Sequence, residues 1–287
     1  MSRIEQALEK AVKMREAKKE VVPEENGASG DQVVLHKFEV GKGVIDPAAV
    51  DKHVVCITEP YSLATEQYKK LRARILRATA NEFHNTIMVT SSDVSEGKSL
   101  TAVNLAVALS SEFDYTVLLV DADLRKPSIH NYFGIEQRKG LSNYLKGEVP
   151  LSDVLVKTGI GKLVLLPSGD PQENASELLS SERMKMLVHE LKSRYKDRYI
   201  IFDSPPLLVT ADPISIGGLM DSVLFVIQEG RTSQKAVIQA LSLTKGWNIL
   251  GAVFNNVPEN IMTNKYLHYY SYGNQSGGRK GSIYRNV

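Results

Sequence analysis

The residues between Ser92 and Ser99 are of the types that grip phosphate. Gly97-Lys98-Ser99 follows position 92 with four residues between, the spacing of a phosphate-binding loop in which only the first glycine is replaced, here by Ser92. An apolar strand pattern feeds the loop and a helical pattern leaves it, so backbone N–H groups and the positive end of a helix dipole would face phosphate. Lys98 would reach the β- and γ-phosphates of ATP and Ser99 would ligate magnesium. Ser92, Ser95, Glu96, Gly97 and Leu100 complete the expected nucleotide-binding set. Two further strands end in acid: Val117-Leu-Leu-Val runs into Asp121 and Asp123, and Tyr199-Ile-Ile-Phe runs into Asp203. Three carboxylates beside one triphosphate supply a metal holder, directly or through water, and a group able to orient or deprotonate an attacking hydroxyl. Either role is open to each of them.

A second chemical feature lies at the other end of the chain. Five of the twelve tyrosines, Tyr266, Tyr269, Tyr270, Tyr272 and Tyr284, fall in the last 22 residues, beyond the last expected strand. No core exists there for them to fill, so their hydroxyls are open to chemistry. Residues 263–287 have the Tyr, Gly, Ser and Asn content of a flexible segment and carry Lys265, Arg279, Lys280 and Arg285 without any acid. Phosphates on all five tyrosines would take this tail from a formal +4 to roughly −4 to −6. Extended at about 3.3 Å per residue, the tail would reach a neighbouring copy of the chain.

The elements that must position these groups alternate along the chain. Helical patterns cover residues 62–80, 100–111, 180–195 and 233–245. Between them stand short apolar runs of the buried parallel-strand type, at 86–90, 116–121, 163–167, 199–203, 222–228 and 249–255. This order predicts an α/β domain over residues 51–262 with a doubly wound, mainly parallel sheet, whose ligands bind beyond the carboxyl ends of the strands. Residues 1–20 place Ile4, Ala7, Leu8, Ala11 and Val12 on one stripe, which predicts a short amphipathic docking helix. Residues 21–50 are rich in Gly, Pro and charge and read as a linker.

Bulk properties exclude several classes. A net charge of +2 gives no argument for nucleic acid. The basic, aromatic tail has no folded stacking platform of the kind single strands need. A lone cysteine, Cys56, rules out an intrachain disulfide and the paired cysteines of an iron–sulfur carrier, and suits a reducing compartment. No apolar run approaches the ~20 residues needed to cross a bilayer, so a cytoplasmic location is expected.

With these residues in place, positions 51–287 resemble the bacterial tyrosine kinases, the autophosphorylating P-loop enzymes of capsule and exopolysaccharide export. Val117-Leu-Leu-Val-Asp121-Ala-Asp123-Leu-Arg125-Lys-Pro127 looks like that family's second Walker-type motif, and Pro167-Ser-Gly169 with Asn174-Ala-Ser-Glu-Leu-Leu-Ser180 looks like another family stretch. The resemblance implies a P-loop NTPase fold of the Walker A/A′/B, MinD/ParA-like type. It also implies ATP and Mg2+ as ligands, and autophosphorylation of the tail in trans. Within it, Asp121 is the candidate to accept the tyrosine proton, with Asp123 and Asp203 on magnesium. Family kinases form rings, octamers among them, through a helical Glu-x-x-Arg-x-x-Arg motif that Glu66, Lys69 and Arg72 match in spacing, with lysine in place of the first arginine.

A membrane-bound polysaccharide chain-length protein on a separate chain would be the activator, holding the kinase at the inner face of the plasma membrane. A phosphotyrosine phosphatase would reverse the modification. Ser95 is a departure, since the family usually has glycine there to ease positive φ. Partitioning and cell-division-positioning ATPases share the fold but carry a signature lysine early in the loop, where this chain has none. A nucleotide-binding scaffold of the export machinery is the non-enzymatic alternative.

Overall fold

Runs of Val, Ile, Leu and Phe that are apolar at every position suit strands covered on both faces, and each expected run forms a strand, the last of them at the sheet edge. The computed structural model describes residues 45–80, 83–194 and 197–258. Its strands are β1 (Thr86–Ser91), β2 (Thr116–Asp121), β3 (Val156–Lys157), β4 (Leu163–Leu166), β5 (Arg198–Asp203), β6 (Ser222–Gln228) and β7 (Ile249–Asn255). They form one sheet in the order β3-β4-β2-β5-β1-β6-β7, parallel throughout except for β3 against β4. The doubly wound, mainly parallel architecture is therefore present.

Register decides what meets at the carboxyl edge. β5 lies between β2 and β1, pairing Asp121 with Asp203 and Val89 with Asp203. From β1 the chain crosses β5 to reach β2, and from β5 it crosses β1 to reach β6, so the connections leaving these two adjacent strands run in opposite directions, which marks the usual ligand position in such sheets. The loop leaving β1 and both acidic strand ends are thereby brought to one place.

Four longer helices flank the sheet: α1 (Leu63–Ala78), α2 (Lys98–Ser110), α3 (Glu182–Arg194) and α4 (Gln234–Ser242). Ser62 caps α1 by accepting the Thr65 amide at 3.2 Å, and Ser233 caps α4 by accepting that of Ala236 at 3.1 Å. α2 is buried at every position from Thr101 to Ser110, between the sheet and α1. It anchors the main core with Val103, Leu105, Ala106 and Leu109, whereas a small cluster of Leu207, Phe225 and Ala240 lies beneath α4. No helix among the described residues is long and apolar enough to cross a membrane.

Several boundaries differ from expectation for local reasons. The helix expected over 180–195 begins at Glu182, because Ser181 turns extended (φ −64°, ψ 154°) and its hydroxyl accepts the Met184 amide at 3.2 Å, and a separate short helix that was not expected, Ala175–Ser180, precedes it. α2 begins at Lys98, two residues early. The two residues of β3 are too short to leave an alternating pattern. Packed backbone also begins within the stretch expected to be linker. Asp46 caps a turn of 3₁₀ helix at Pro47–Ala49, and Ile45 and Val50 on either side of it are buried in the main core. The expected helix over 1–20, linker residues 21–44 and tail 263–287 lie outside the described residues.

Candidate active site

The phosphate loop begins where buried β1 ends. Gly97 has φ 89°, in the left-handed region, and a Cβ there would lie 1.9 Å from Asn255 Nδ2, so both conformation and space require glycine. Ser95 takes φ 61°, the positive value for which its relatives' glycine was expected. Ser92, at the first-glycine position, is fully buried, and its hydroxyl has no hydrogen-bond partner among the described residues. Lys98 opens α2 with its Nζ 3.3 Å from Ser99 Oγ and 3.5 Å from Asp123 Oδ2.

The three acids are brought together but are satisfied very differently. Asp121 is buried and accepts three amides, from Asp123 at 3.2 Å on Oδ1 and from Ser128 and Ile129 at 3.2 and 3.1 Å on Oδ2. Asp123 accepts the Lys126 amide at 3.0 Å on Oδ1 and turns Oδ2 to Lys98. Asp203 is completely buried, and neither of its oxygens makes a hydrogen bond among the described residues. Buried carboxylates are ordinarily paired or hydrogen-bonded.

Electrostatics follows from this crowding. Burial, then repulsion from Asp203, pushes the Asp121 carboxyl up to about 8, against the pull of its amide donors. Burial likewise raises Asp203 to about 6, with the charge of Lys98 and the nearby Ser99 hydroxyl opposing the rise. Burial alone would lower Lys98, but the charges of Asp203, Asp123 and Asp121 outweigh it and hold the ammonium above its ordinary value. The arrangement is acid-rich around a single buried cation and is poised for a further positive charge.

Hard oxygen donors from Ser99, Asp123 and Asp203 fit Mg2+, and the unpartnered oxygens of Asp203 are the specific observation in favour. No group of three or more His, Cys, Asp or Glu side chains among the described residues is arranged to hold a metal by itself. A magnesium ion, which keeps waters and takes phosphate oxygens, does not need such a group.

Other expected residues fall elsewhere. Lys69 pairs with Glu66 of its own helix at 2.6 Å, and Arg72 reaches Glu112 Oε1 at 2.8 Å and the Ala108 carbonyl at 3.1 Å. The three residues expected to bind a neighbouring copy are thus paired within the chain. Leu100 lies in the first turn of α2. The five tail tyrosines lie outside the described residues. Glu96, expected in the nucleotide-binding set, is buried and turns its carboxylate to the Asp93 amide at 3.0 Å.

Sequence reading missed Asp212. It is fully buried and takes Arg125 as a two-pronged partner at 2.7 and 3.2 Å, tying the acidic loop after β2 to the helix Asp212–Gly217. The 87 residues between the two leave no local signal.

Comparison with known proteins agrees with this geometry. A family model described as an AAA domain matches residues 84–247. The chain is 36% identical over 227 residues to the tyrosine-protein kinase YwqD of Bacillus subtilis, covering 78% of this chain and 92% of that one. The solved kinase domain of the Escherichia coli tyrosine kinase ETK superposes with a TM-score of 0.67 at 31% identity, covering 71% of this chain and 80% of that one. The septum site-determining protein MinD of Pyrococcus horikoshii, solved with Mg-ADP, gives a TM-score of 0.50 at 21% identity, with 59% and 69% covered, a likeness of fold alone.

Proposed function

The chain belongs to the bacterial tyrosine-protein kinases and is a nucleotide-binding protein-tyrosine kinase, and from that premise we propose that it moves the γ-phosphoryl of ATP to tyrosines of its own C-terminal tail on a neighbouring copy. The acceptors are Tyr266, Tyr269, Tyr270, Tyr272 and Tyr284. Asp203 is the observation that carries the assignment of this site, a buried carboxylate whose oxygens accept no hydrogen bond of ordinary geometry among the described residues, beside Lys98 and the Ser99 hydroxyl at the mouth of a phosphate loop.

The residues divide the work as follows. Loop amides and Lys98 hold the β- and γ-phosphates, and the Lys98 ammonium faces charge that builds as the bond to the leaving oxygen breaks. Ser99, Asp123 and Asp203 would hold magnesium, which when bound would neutralise charge on the phosphate oxygens. A carboxylate offers about four lone-pair sites, and three amides on Asp121 leave it one for the tyrosine proton. Its raised pKa suits a base working near neutrality. As that proton passes to Asp121, the phenolic oxygen bonds to the γ-phosphorus, the bond to the β,γ-bridging oxygen breaks, and ADP leaves with the electron pair.

Ring assembly through Glu66, Lys69 and Arg72 belongs to the same proposal and requires the pairs within the chain to be exchanged for pairs between chains. So do a membrane-bound polysaccharide chain-length protein as activator at the inner face of the membrane, a phosphotyrosine phosphatase, and a role in exopolysaccharide export. The unmodified basic tail enters the acidic site of its neighbour, and the phosphorylated tail is repelled from it.

Transfer in trans is tested by mixing two full-length forms with ATP and magnesium. Lys98→Met supplies an intact tail without a working site, and a form with all five tail tyrosines changed to Phe supplies the site without a tail acceptor. Phosphate on the Lys98→Met chain is the expected result. Phosphate on neither, when the wild type alone is modified, would show transfer within one chain.

A further inference from the structure

The loop that holds phosphate contains a serine in a conformation that suits glycine, and the structure shows what keeps it there. Glu96 Oε2 accepts the Asp93 amide at 3.0 Å, closing a ring across Val94 and Ser95. Glu96 Oε1 accepts the Thr232 hydroxyl at 2.5 Å. The Glu96 carbonyl accepts Asn255 Nδ2 at 3.1 Å, and the Ser95 carbonyl lies 3.5 Å from Arg231 Nη1. Two of these contacts hold the carbonyls of the peptides that follow Ser95 and a third holds the Glu96 side chain, and their partners Arg231, Asn255 and Thr232 all come from the β6–β7 edge of the sheet.

The direction of these contacts matters for phosphate. In a trans peptide the C=O and N–H point to opposite sides. With the Ser95 and Glu96 carbonyls held toward Arg231 and Asn255, the N–H groups of Glu96 and Gly97 are turned away from that edge. Those are amides that a phosphate loop must present to its ligand.

The Thr232 hydroxyl is itself set. It accepts the Gln228 amide at 3.0 Å, which leaves its proton for Glu96, and the Thr232 amide returns to the Gln228 carbonyl at 3.0 Å. The Glu229 amide binds the Asn255 carbonyl at 3.0 Å, so the ends of β6 and β7 form one rigid support. A short hydroxyl-to-carboxylate bond is of the strong class.

We propose that Glu96, Thr232 and Asn255 form a brace that pre-shapes the phosphate loop from outside the nucleotide site, and that this brace is what allows serine at position 95. Thr232 and Asn255 are positioning residues for phosphoryl transfer. They act on ATP through the conformation of Ser95 and the aim of the loop amides. The inference rests on nucleotide binding at this loop and does not depend on which tyrosines are modified.

The test measures KM for ATP, kcat, and Mg-ADP binding by calorimetry on full-length variants. Thr232→Val should weaken Mg-ADP binding and raise KM by roughly 10-fold with a smaller change in kcat, while Thr232→Ser, which keeps the hydroxyl, stays near wild type. Ser95→Gly alone is measured as the reference for the double variant. Combined with Thr232→Val, Ser95→Gly should recover most of the lost affinity, since glycine adopts positive φ without support.

Asn255→Ala is read in the same way and serves if Thr232→Val does not fold. The proposal is overturned if Thr232→Val binds Mg-ADP as wild type does, if Thr232→Ser is equally impaired, or if the defect persists in full beside Ser95→Gly. Calorimetry keeps this result separate from the autokinase reading, because nucleotide binding can respond even where no tyrosine is modified.

Discussion

At the amino edge of the sheet, just before β6, Asp221 accepts the amide and hydroxyl of Thr86 at 3.1 and 2.8 Å and pairs with Lys192 at 2.7 Å. At the carboxyl edge, at the end of β5, Asp203 is more deeply buried and has no hydrogen-bond partner among the described residues. Burial tends to raise both carboxyls. For Asp221 its lysine and threonine partners win and the pKa falls below the ordinary value, whereas for Asp203 burial wins and the pKa rises to about 6. The amino edge spends its polar groups on holding the fold together. The carboxyl edge leaves a buried charge unsatisfied, a cost that selection keeps only where a ligand will meet it.

The sharpest way to break this comparison is to neutralise each aspartate. Asp203→Asn should cut autophosphorylation by at least about 10²-fold, measured by initial rates. It should also stabilise the ligand-free protein, on the order of 1–3 kcal/mol, seen as a rise of a few degrees in Tm. The sign follows from linkage. A carboxyl whose folded pKa is raised contributes stability that is full below its unfolded value of 3.8 and is lost as pH rises through about 6. The variant's advantage over wild type should therefore grow between about pH 4 and pH 6 and level off above that. A variant equally inactive but less stable would place Asp203 among ordinary structural acids.

Asp221→Ala should do the reverse. It strands the Thr86 donors and Lys192, and should cost roughly 1–3 kcal/mol of stability in denaturant titration, with kcat of the folded protein unchanged. The Asp221 pKa is lowered, so its contribution is present above pH 3.8 and disappears as pH falls through the folded value. The gap between wild type and variant should close in acid, a smaller effect than either substitution at neutral pH. Loss of activity in a fully folded Asp221→Ala protein would erase the distinction between the two edges.

What the sequence disclosed divides along similar lines. The strands were legible because β1 and β5 are buried at every position and β6 at most of its length, and such strands read as unbroken apolar runs. The Lys98, Asp121, Asp123 and Asp203 cluster was legible because each sits at the end of a strand or the start of a helix. Even the strain at Ser95 was foreseeable from the glycine expected there, and its φ of 61° agrees. The supports were not legible. Thr232 and Asn255 are 136 and 159 residues from Glu96, and Asp212 is 87 from Arg125. Each is a common polar residue whose role exists only after the sheet has folded. Residues 45–50 read as linker because one 3₁₀ turn flanked by Ile45 and Val50 is too short to show a period.

The central claim is that one acid-rich site around Lys98 phosphorylates the tail tyrosines. Intact mass of the purified full-length chain after incubation with ATP and magnesium tests it most directly, beside Lys98→Met and the form with Phe at the five tail tyrosines. Successive additions of single phosphates in the wild type, absent from both variants incubated alone, are the result the account predicts. Phosphate gained by Lys98→Met alone would contradict the site, and undiminished phosphate on the five-Phe form would contradict the tail as acceptor.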